Sequence, residues 1–531
     1  MKKVLITDKI PEAGLQVLRE GALLEVDVKT GLDEAGLIQA LPSYDGVVIR
    51  SGTRLTAKAL EAAVNLKVVG RAGVGVDNVD VEAATRLGII VMNTPDGNTK
   101  STCEHTVAML MALARKIPAA VAHLKAGGWE RAKFQGVELH GKTLGVVGLG
   151  RIGTQVAIRA KAFGMKIVAA DPFMDPAAAK KQDIELASFD QVLRQADFLT
   201  VHSPLTPETK GMIGKGQFGI MKKGVRVINC ARGGIVDEAA LLEAIVSGKV
   251  AGAALDVFVD EPPTNHPLLR RDEVIATPHL GASTVEAQEN VAAIVAKQVR
   301  DFLLEGIIQN ALNVPKTSAA ESPHVTAHLR LAEAMGQFLA QIADGYIQKV
   351  RVECSGEAAE LDTRILVSYI LKGILSRAVK ERVNYVNARL VAKERGIEVV
   401  ESTSSQARDF RSLVYVKAST QSGSRSLSGT VLEDNRVRIA RIDGYETDVV
   451  AEGLMLVFSH TDKPGILGRM GTLLGQHGVN IASLHLGRDA AGGNAVAVMN
   501  VDSEPGPEAL KGLRNMAEIR ELKVVRLEKS T

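Results

Sequence analysis

Short runs rich in valine and isoleucine alternate with longer runs in which alanine and leucine recur at helical spacing, from the N-terminus onwards. A strand buried on both faces is a continuous apolar run, and a helix between two such strands allows them to lie parallel. The pattern therefore predicts a doubly wound parallel sheet. Five such strands precede residue 95: VLITD, EVDVK, GVVIR, LKVVG and GIIVMN.

A second series of apolar runs predicts a second sheet of the same kind. Its strands are LGVVG, KIVAAD, ADFLTVH, VRVINC, GAALDVF and VIATP. A long helical pattern that begins at Ser283 is expected to return the chain to the first sheet and complete it. We therefore expect one domain made of residues 1–97 plus 283–314 and an inner domain of residues 98–282.

The rest of the chain has a different pattern. Residues 310–323, NALNVPKTSAAESP, lack periodicity and indicate a linker. Residues 315–451 mix helical and strand-like patterns, which predicts an α+β domain without a chemical motif. Residues 452–531 have the order βαββαβ, typical of a ferredoxin-like module, and Pro464 is expected to open its first helix.

Composition narrows the function classes. The 531 residues carry 64 Lys plus Arg against 61 Asp plus Glu, without a basic stripe, so we expect no nucleic-acid partner. No run approaches the ~20 apolar residues of a membrane span, and the N-terminus is better explained as a first strand than as a signal peptide. The three cysteines are widely separated, so neither a disulfide framework nor a metal site is expected, and a reducing cytoplasm fits best.

A glycine-rich turn opens the second series of strands. Gly148, Gly150 and Gly153 follow an apolar strand and precede a helix that should begin near Arg151. Such glycines allow a tight turn and let a pyrophosphate approach the backbone at the helix N-terminus. Asp171 ends the next strand, where a carboxylate accepts hydrogen bonds from an adenosine ribose and repels a 2′-phosphate. The sequence therefore predicts an NAD site.

Three side chains follow later strands of the same sheet, where ligands of parallel sheets bind. They are Arg232, Glu261 and His279. His279 is a suitable base for a hydroxyl proton, Glu261 would fix its tautomer, and Arg232 would hold a carboxylate. This set suits the oxidation of a 2-hydroxy acid, and an ordinary ion pair between Arg232 and Glu261 is the minor alternative. Cys230 occupies a nucleophile's position, but hydride transfer needs no thiol, so we interpret it as a neighbour of the cofactor pocket.

Residues 1–310 resemble the D-isomer-specific 2-hydroxyacid dehydrogenases in four motifs: VVGLGRIG, NCARGGIVDE, DVFVDEPP and TPHLGAST. The resemblance implies that Arg232 binds the substrate carboxylate, that Glu261 tunes the histidine and that His279 exchanges the proton. It also implies that Arg151 and Ile152 belong to the cofactor turn and that Ser203 and Asp256 lie near the nicotinamide.

Within this family the chain is most similar to the long branch that oxidises D-3-phosphoglycerate to 3-phosphohydroxypyruvate in L-serine biosynthesis. VIRSGTRLT, GRAGVGVDNVD and NTPDGNTKSTCEHT resemble the substrate loops of that branch, which implies substrate contacts for Arg50, Ser51 and Asn98. The segment GGWERAKFQGVEL resembles a dimerisation arm, so a homodimer or homotetramer is expected. A broader 2-hydroxyacid dehydrogenase, such as a hydroxypyruvate or glyoxylate reductase, and a non-catalytic dinucleotide sensor remain alternatives.

The long branch also carries an intervening domain and a C-terminal ACT domain. HTDKPGILGRMGTLLGQHGVNIASLHLGR resembles the ACT pattern, in which small amino acids bind between paired domains. The resemblance points to His460, Asp462 and Asn480 as effector contacts and to L-serine as the effector. A module that only dimerises is the alternative.

Overall fold

The computed structural model describes residues 1–314, 322–379, 383–406 and 410–527. Within these ranges the strands form four sheets, of five, seven, six and four strands. The predicted fold class is confirmed, because the first two sheets are parallel and helix-covered, the third is mixed and the fourth is antiparallel. Residues 315–321, the centre of the predicted linker, lie outside the described residues.

The first sheet has the strand order β2-β1-β3-β4-β5. Its strands are β1 (Lys2–Ile6), β2 (Leu24–Val28), β3 (Gly46–Ile49), β4 (Val68–Arg71) and β5 (Ile90–Met92), and its helices are α1 (Glu12–Arg19), α2 (Glu34–Ala40), α3 (Ala57–Ala62) and α4 (Val81–Arg86). The strand order reverses between β1 and β3, and the crevice beyond such a switch point is where ligands bind. Asp8 and Arg50 lie there, directly after β1 and β3.

Two helices, α5 (Thr99–Arg115) and α6 (Ile117–Lys125), connect the first sheet to the second. Lys116 separates them in a left-handed conformation with φ 53°, and the two axes differ by 64°. Among the described residues no single helix is long and apolar enough to span a membrane, and this bent pair meets that length and composition only when its helices are taken together.

The second sheet has the parallel order β12-β11-β10-β9-β6-β7-β8, so it reverses between β6 and β9. Its strands are β6 (Thr143–Val147), β7 (Lys166–Ala170), β8 (Glu185–Leu186), β9 (Phe198–Val201), β10 (Val225–Asn229), β11 (Val250–Leu255) and β12 (Val274–Ala276), and its helices are α7 (Arg151–Ala162), α8 (Pro176–Lys181), α9 (Phe189–Gln195), α10 (Lys215–Ile220) and α11 (Glu238–Val246). The sequence pattern did not predict β8, because two residues are too short to show a periodicity.

The long helix α12 (Val285–Glu305) packs against α1 and β4 of the first sheet. Its Thr284 cap accepts a hydrogen bond from the N–H of Ala287, and Gly306 ends the helix with φ 76°. The helix lies so close to β4 that a Cβ on Gly70 would stand 2.6 Å from a methyl carbon of Val299. A strand glycine therefore permits this packing.

The third sheet has the order β14-β13-β15-β16-β17-β18, and only β13 and β14 are parallel. Its strands are β13 (Ile347–Gly356), β14 (Glu398–Ser404), β15 (Ser412–Thr420), β16 (Gly423–Val431), β17 (Val437–Ile442) and β18 (Tyr445–Val450), with helices α13 (Pro323–Ile342), α14 (Glu357–Glu360), α15 (Thr363–Leu375) and α16 (Ala388–Glu394). This unit contacts the first sheet through Asn384, which donates to the carbonyl oxygen of Gly88 at 2.7 Å.

The fourth sheet is antiparallel in the order β20-β21-β19-β22. Its elements are β19 (Gly453–Thr461), α17 (Ile466–Gln476), β20 (Ile481–Arg488), β21 (Asn494–Val501), α18 (Pro507–Arg514) and β22 (Ile519–Leu527), so the predicted βαββαβ order is confirmed. The predicted start of its first helix at Pro464 is wrong. The helix begins at Ile466, because Gly465 before it has a left-handed backbone with φ 87°.

Candidate active site

The glycine-rich turn between β6 and α7 has three glycines with different surroundings. Gly148 has φ 92°, and a Cβ there would stand 2.7 Å from the carbonyl oxygen of His202. A Cβ on Gly153 would stand 2.0 Å from the carbonyl oxygen of Gly148, so this glycine lets the helix pack against the turn. A Cβ on Gly150 would meet nothing within 4 Å. Gly148 and Gly153 therefore shape the turn, whereas Gly150 leaves space in front of it.

Asp171 follows β7 and is tied to the same turn. Its carboxylate accepts hydrogen bonds from the N–H of Leu149 at 2.7 Å and from the N–H of Phe173 at 2.8 Å. The helix α7 begins at Arg151 without a side-chain cap, and a free helix N-terminus attracts an anion. A free helix end, open space at Gly150 and an acid at the ribose position fit a dinucleotide with a pyrophosphate and a free ribose diol, as in NAD.

The remaining predicted cofactor residues surround this turn. Ile152 is half-buried against the core below α7. Ser203 lies after β9 and its hydroxyl donates to the carbonyl oxygen of Val147 at 3.5 Å. Cys230 directly follows β10 and is buried, and this burial raises the pKa of its thiol to about 12. A thiol with such a pKa is protonated at neutral pH, so Cys230 does not act as a nucleophile here.

Asp256 supports the loop that carries His279. The buried carboxylate accepts hydrogen bonds from the Thr277 hydroxyl at 2.6 Å and from the N–H groups of Leu280 and Gly281 at 2.7 and 2.8 Å. His105 on α5 lies 3.2 Å away. Burial alone would raise the pKa of Asp256, but the hydrogen bonds from His105, Thr277 and Leu280 outweigh it and hold the pKa below its usual range. The sequence patterns did not single out His105.

His279 and Glu261 form a hydrogen-bonded pair. Nδ1 of His279 donates to Oε2 of Glu261 at 2.8 Å, and Oε1 of the same carboxylate accepts the N–H of Phe258 at 3.1 Å. The structure gives no hydrogen bond to Nε2 of His279 from any described residue, so in the neutral tautomer with the proton on Nδ1 this nitrogen is free to accept a proton. His279 has a left-handed backbone with φ 56°, a conformation that non-glycine residues adopt mainly where the surrounding structure requires it.

Arg232 is paired with an acidic side chain from the other sheet. Its Nε donates to Oδ2 of Asp77 at 3.0 Å, and its Nη1 donates to the carbonyl oxygen of Ala231 at 2.7 Å. Asp77 lies in the loop between β4 and α4, so this ion pair crosses the cleft between the two parallel sheets. A Cβ on Gly75 would stand 2.0 Å from Nη2 of Arg232, and the glycine therefore allows the guanidinium to approach this loop.

The predicted substrate residues lie at the carboxyl ends of the first sheet. Arg50 donates from Nη1 to the carbonyl oxygen of Lys9 at 3.0 Å. Arg50 and Ser51 line a cavity of about 370 Å³ formed by residues 7–9, 30–31 and 50–52. Asn98 precedes α5, and its buried Oδ1 has no hydrogen-bond partner in the part of the chain that the structure describes. An unsatisfied buried oxygen of this kind indicates a missing donor, such as a ligand or water.

Arg71 is a candidate site residue that the sequence reasoning missed. It ends β4, and burial lowers the pKa of its guanidinium to about 10, with the positive charge of Arg232 acting in the same direction. Its Nη1 donates to the carbonyl oxygen of Ala72 at 2.9 Å, while its buried Nε lacks a partner among the described ranges. Its position at the end of an apolar strand is the same signal that identified Arg232.

Two of the predicted effector residues, His460 and Asp462, lie at the end of the fourth sheet where β19 ends, whereas Asn480 lies at the opposite end, before β20. His460 is 1% exposed, and its Nδ1 donates to the carbonyl oxygen of Thr461 at 3.0 Å, while Nε2 has no partner within the described chain. Arg488 donates to Asp462 at 2.8 Å, and this bond lowers the pKa of the Asp462 carboxyl. Asn480 precedes β20 and donates to Oδ2 of Asp502 at 2.7 Å.

Comparison with protein families matches three parts of the chain. Residues 107–281 match the NAD-binding domain of D-isomer specific 2-hydroxyacid dehydrogenases, residues 324–443 match the D-3-phosphoglycerate dehydrogenase intervening domain, and residues 454–517 match the ACT domain. Solved structures match the first part. A D-lactate dehydrogenase from Aquifex aeolicus in complex with NAD and lactic acid has a TM-score of 0.53 at 30% identity, covering 59% of this chain and 100% of that chain. An NAD-dependent formate dehydrogenase from Staphylococcus aureus in complex with NAD has a TM-score of 0.52 at 31% identity, covering 58% and 98%.

Curated relatives match the whole chain. The D-3-phosphoglycerate dehydrogenase of Synechocystis sp. is 45% identical over 529 residues, which cover 99% of this chain and 95% of the relative. The enzymes of that name from Methanocaldococcus jannaschii and Bacillus subtilis are each 42% identical, and the matches cover 99% of this chain and 100% of each relative. Each match extends over nearly the full length of both proteins. The chain therefore belongs to the D-3-phosphoglycerate dehydrogenase family, within the D-isomer-specific 2-hydroxyacid dehydrogenases.

Proposed function

We propose that the protein catalyses the NAD-dependent oxidation of D-3-phosphoglycerate to 3-phosphohydroxypyruvate, the first step of phosphorylated L-serine biosynthesis. The observation that carries this proposal is the pair His279–Glu261, in which Nδ1 donates to the carboxylate and Nε2 is left to accept a proton. The pair lies on the loops that follow β11 and β12, at the same edge of the sheet as the turn after β6 that fits a dinucleotide. Family membership supports the same chemistry.

Three side chains have separate roles in the reaction. His279 accepts the proton of the C2 hydroxyl at Nε2, and Glu261 stabilises the resulting imidazolium through Nδ1. When bound, NAD supplies the acceptor for the hydride that leaves C2. Arg232 holds the substrate carboxylate, because a guanidinium binds a carboxylate through two parallel hydrogen bonds. One proton and one hydride leave the alcohol, and a ketone results.

The charges near the site favour a phosphorylated substrate. Arg71 lies within electrostatic reach of Arg50 and Arg232, while two acids, Asp8 and Asp77, oppose these three arginines. A 2-hydroxy acid with a phosphate monoester carries about three negative charges near neutral pH, against one for lactate or glyoxylate. The arginine cluster therefore suits 3-phosphoglycerate better than the substrate of a broader 2-hydroxyacid dehydrogenase.

Steady-state rates with different 2-hydroxy acids test this proposal. We expect kcat/KM for D-3-phosphoglycerate to exceed that for D-glycerate and D-lactate by at least about a hundredfold, because an unphosphorylated substrate leaves buried cations unpaired. The reverse assay with 3-phosphohydroxypyruvate and NADH gives the more sensitive signal. Equal rates with all three acids would favour a broad dehydrogenase, and no rate with any of them would favour a dinucleotide sensor.

We further propose that L-serine regulates the enzyme through the ACT domain, near His460, Asp462 and Asn480. Nε2 of the buried His460, which has no partner among the described residues, supports a polar ligand at the end of the sheet that carries His460 and Asp462. Asn480 lies at the opposite end, so it would reach such a ligand from the paired ACT domain. We expect millimolar L-serine to lower the rate of the full-length protein and Asn480→Ala to remove the response, with D-serine as the control ligand. If serine alters neither the rate nor the oligomeric state, the module serves only dimerisation.

Assembly and location complete the proposal. α6 and the segment after it expose apolar side chains, with Val121, Leu124 and Trp129 at 46%, 56% and 76% exposure. A group of exposed large apolar residues supports a subunit contact, so we propose a homodimer or homotetramer. Light scattering of the wild type and of Leu124→Glu tests this, because a dissociated variant is expected. The three free cysteines support a reducing cytoplasmic location.

A further inference from the structure

The two cations expected to bind ligand anions are both paired with carboxylates from the connections on either side of β5. Arg232, after β10, pairs with Asp77, and Arg151, at the start of α7, pairs with Asp96 at 2.5 Å. Neither acid belongs to the predicted site. Asp77 is 66% exposed, whereas Arg232 is 28% exposed. An exposed carboxylate on a half-buried cation is the more mobile partner and the one that can leave at little cost in desolvation.

The position of Asp77 on the guanidinium is the important detail. A carboxylate binds arginine bidentately along one edge of the fork, most directly the edge formed by Nε and one terminal nitrogen. Oδ2 of Asp77 accepts a hydrogen bond from Nε of Arg232. A Cβ on Gly75 would stand 2.0 Å from Nη2 of Arg232 and 3.0 Å from the same Oδ2, so Asp77 and Nη2 lie on the same side of the guanidinium. The third nitrogen, Nη1, already donates to the carbonyl oxygen of Ala231. An incoming carboxylate that takes the Nε edge must therefore displace Asp77.

We propose that Asp77 is a surrogate carboxylate, which occupies Arg232 until the substrate carboxylate replaces it, and so sets the affinity for the substrate. The proposal rests on the proposed function only in that Arg232 binds the carboxylate of a 2-hydroxy acid. The exchange replaces one negative group on Arg232 by another, so the guanidinium is paired before and after binding. Asp77 then turns towards solvent, where its charge is hydrated.

The surrogate also offsets part of the positive charge of three arginines in the unliganded protein. Asp77 opposes the repulsion that Arg232 and Arg50 exert on Arg71. Loss of this carboxylate would leave the cluster with a larger unbalanced positive charge, which favours binding of an anionic substrate. Competition at Arg232 and the charge of the cluster therefore act in the same direction, and both predict tighter substrate binding when Asp77 is neutral.

The test is Asp77→Asn, which keeps the size of the side chain and removes its charge. We expect the KM for D-3-phosphoglycerate and for 3-phosphohydroxypyruvate to fall about two- to fivefold, as expected from the strength of exposed ion pairs. kcat should change less than about twofold, and the KM for NAD should not change, because Arg151 pairs with Asp96 instead. Asp77→Ser, which also lacks a charge, should lower the KM in the same direction.

Glu82→Gln is the matched control. Glu82 lies on α4, a few residues after Asp77, and is 86% exposed; among the residues that the structure describes, it pairs only with Arg86 on its own helix. The substitution Glu82→Gln removes one negative charge from the same region without changing a contact of Arg232. The KM of this variant should therefore equal that of the wild type. If Glu82→Gln lowers the KM as Asp77→Asn does, the effect comes from net charge alone, and the surrogate role is overturned.

An unchanged or higher KM in both Asp77 variants would also overturn the proposal, because Asp77 would then orient Arg232 for substrate rather than compete with it. The result is separable from the proposed function. The surrogate role is tested by the ratio of the variant KM to the wild-type KM, measured on whichever 2-hydroxy acid the wild type oxidises. The proposed function is tested by which of the acids the wild type prefers.

Discussion

Nδ1 of His279 lies 2.8 Å from Oε2 of Glu261, although 18 positions separate the two residues along the chain. The contact forms because β11 and β12 are parallel neighbours, so the loops that leave their carboxyl ends meet at one edge of the sheet. The N–H of His279 also donates to the carbonyl oxygen of Asp256, which fixes the start of its loop. The pair is thus positioned by backbone geometry as well as by its own hydrogen bond.

Replacement of His279 by alanine should lower kcat about 10²- to 10⁴-fold, which is the usual contribution of a general base. Glu261→Gln should cause a smaller loss, since an amide still contacts Nδ1 but carries no charge to stabilise the imidazolium. The affinity for NADH, measured by fluorescence titration, should remain that of the wild type in both variants. A His279→Ala enzyme with full turnover would remove the base from the mechanism.

Two alanine substitutions in the glycine-rich turn should have different effects, one on stability and the other on NAD affinity. Gly153→Ala places a methyl group 2.0 Å from a carbonyl oxygen, and such overpacking should destabilise the unliganded protein by about 1–3 kcal/mol. Gly150→Ala meets no protein atom, so its unliganded thermal midpoint should equal that of the wild type, while its NAD affinity should fall. Thermal unfolding with and without NAD separates the two. Similar behaviour of both variants would contradict a pyrophosphate site in front of Gly150.

The charge of Asp171 should determine the choice between NAD and NADP. Asp171→Asn keeps an oxygen that can accept the N–H of Leu149, so the turn should retain its shape. Loss of the charge removes the repulsion of a 2′-phosphate, and the ratio of kcat/KM for NAD over NADP should fall by at least about tenfold. An unchanged ratio would mean that another residue determines the choice between NAD and NADP.

The stability that Asp256 contributes to the folded protein should depend on pH. Its pKa is lower in the folded protein than in the unfolded chain, so the stability it contributes is fully present above the unfolded pKa and is lost as the pH falls through the folded pKa. Asp256→Asn should lower the free energy of unfolding at pH 7 by on the order of 1–3 kcal/mol, because buried hydrogen bonds to a charged acceptor are weakened.

The difference between wild type and Asp256→Asn should shrink as the pH is lowered from 6 to 3. Thermal midpoints across this range measure the effect, and Asp190→Asn, an exposed aspartate on α9, is the control for a general charge effect. A difference that stays constant with pH would mean that the hydrogen bonds to Asp256 do not depend on its ionisation.

Sequence patterning predicted the strands of both parallel sheets, because buried parallel strands such as β9 and β10 are continuous apolar runs. It also predicted the C-terminal βαββαβ order. It missed β8, which is two residues long, and misplaced the start of α17, because the left-handed Gly465 rather than Pro464 determines where that helix begins.

The site was predictable to the extent that chemistry follows strand ends. Arg232, Glu261 and His279 could be selected because each follows an apolar run, and the glycine spacing together with Asp171 indicated a dinucleotide. Arg71 has the same kind of position within the motif GRAGVGVDNVD, but nothing in that motif distinguished it, and its burial became evident only in the folded protein. Asp77 and Asp96 lie within the motifs GRAGVGVDNVD and NTPDGNTKSTCEHT, but exposed acids in loops are common, so nothing distinguished these two from their neighbours.

The sequence by itself determined the periodicity, the turns that only glycine can form and the residue types at the carboxyl ends of the strands, because these depend on local sterics and on burial. The tertiary structure alone decided which loops meet across the cleft. Asp77 and Arg232 are 155 positions apart, and their ion pair exists because two separately folded sheets face each other. Contacts of this kind depend on how whole domains pack, and no local pattern in the chain records them.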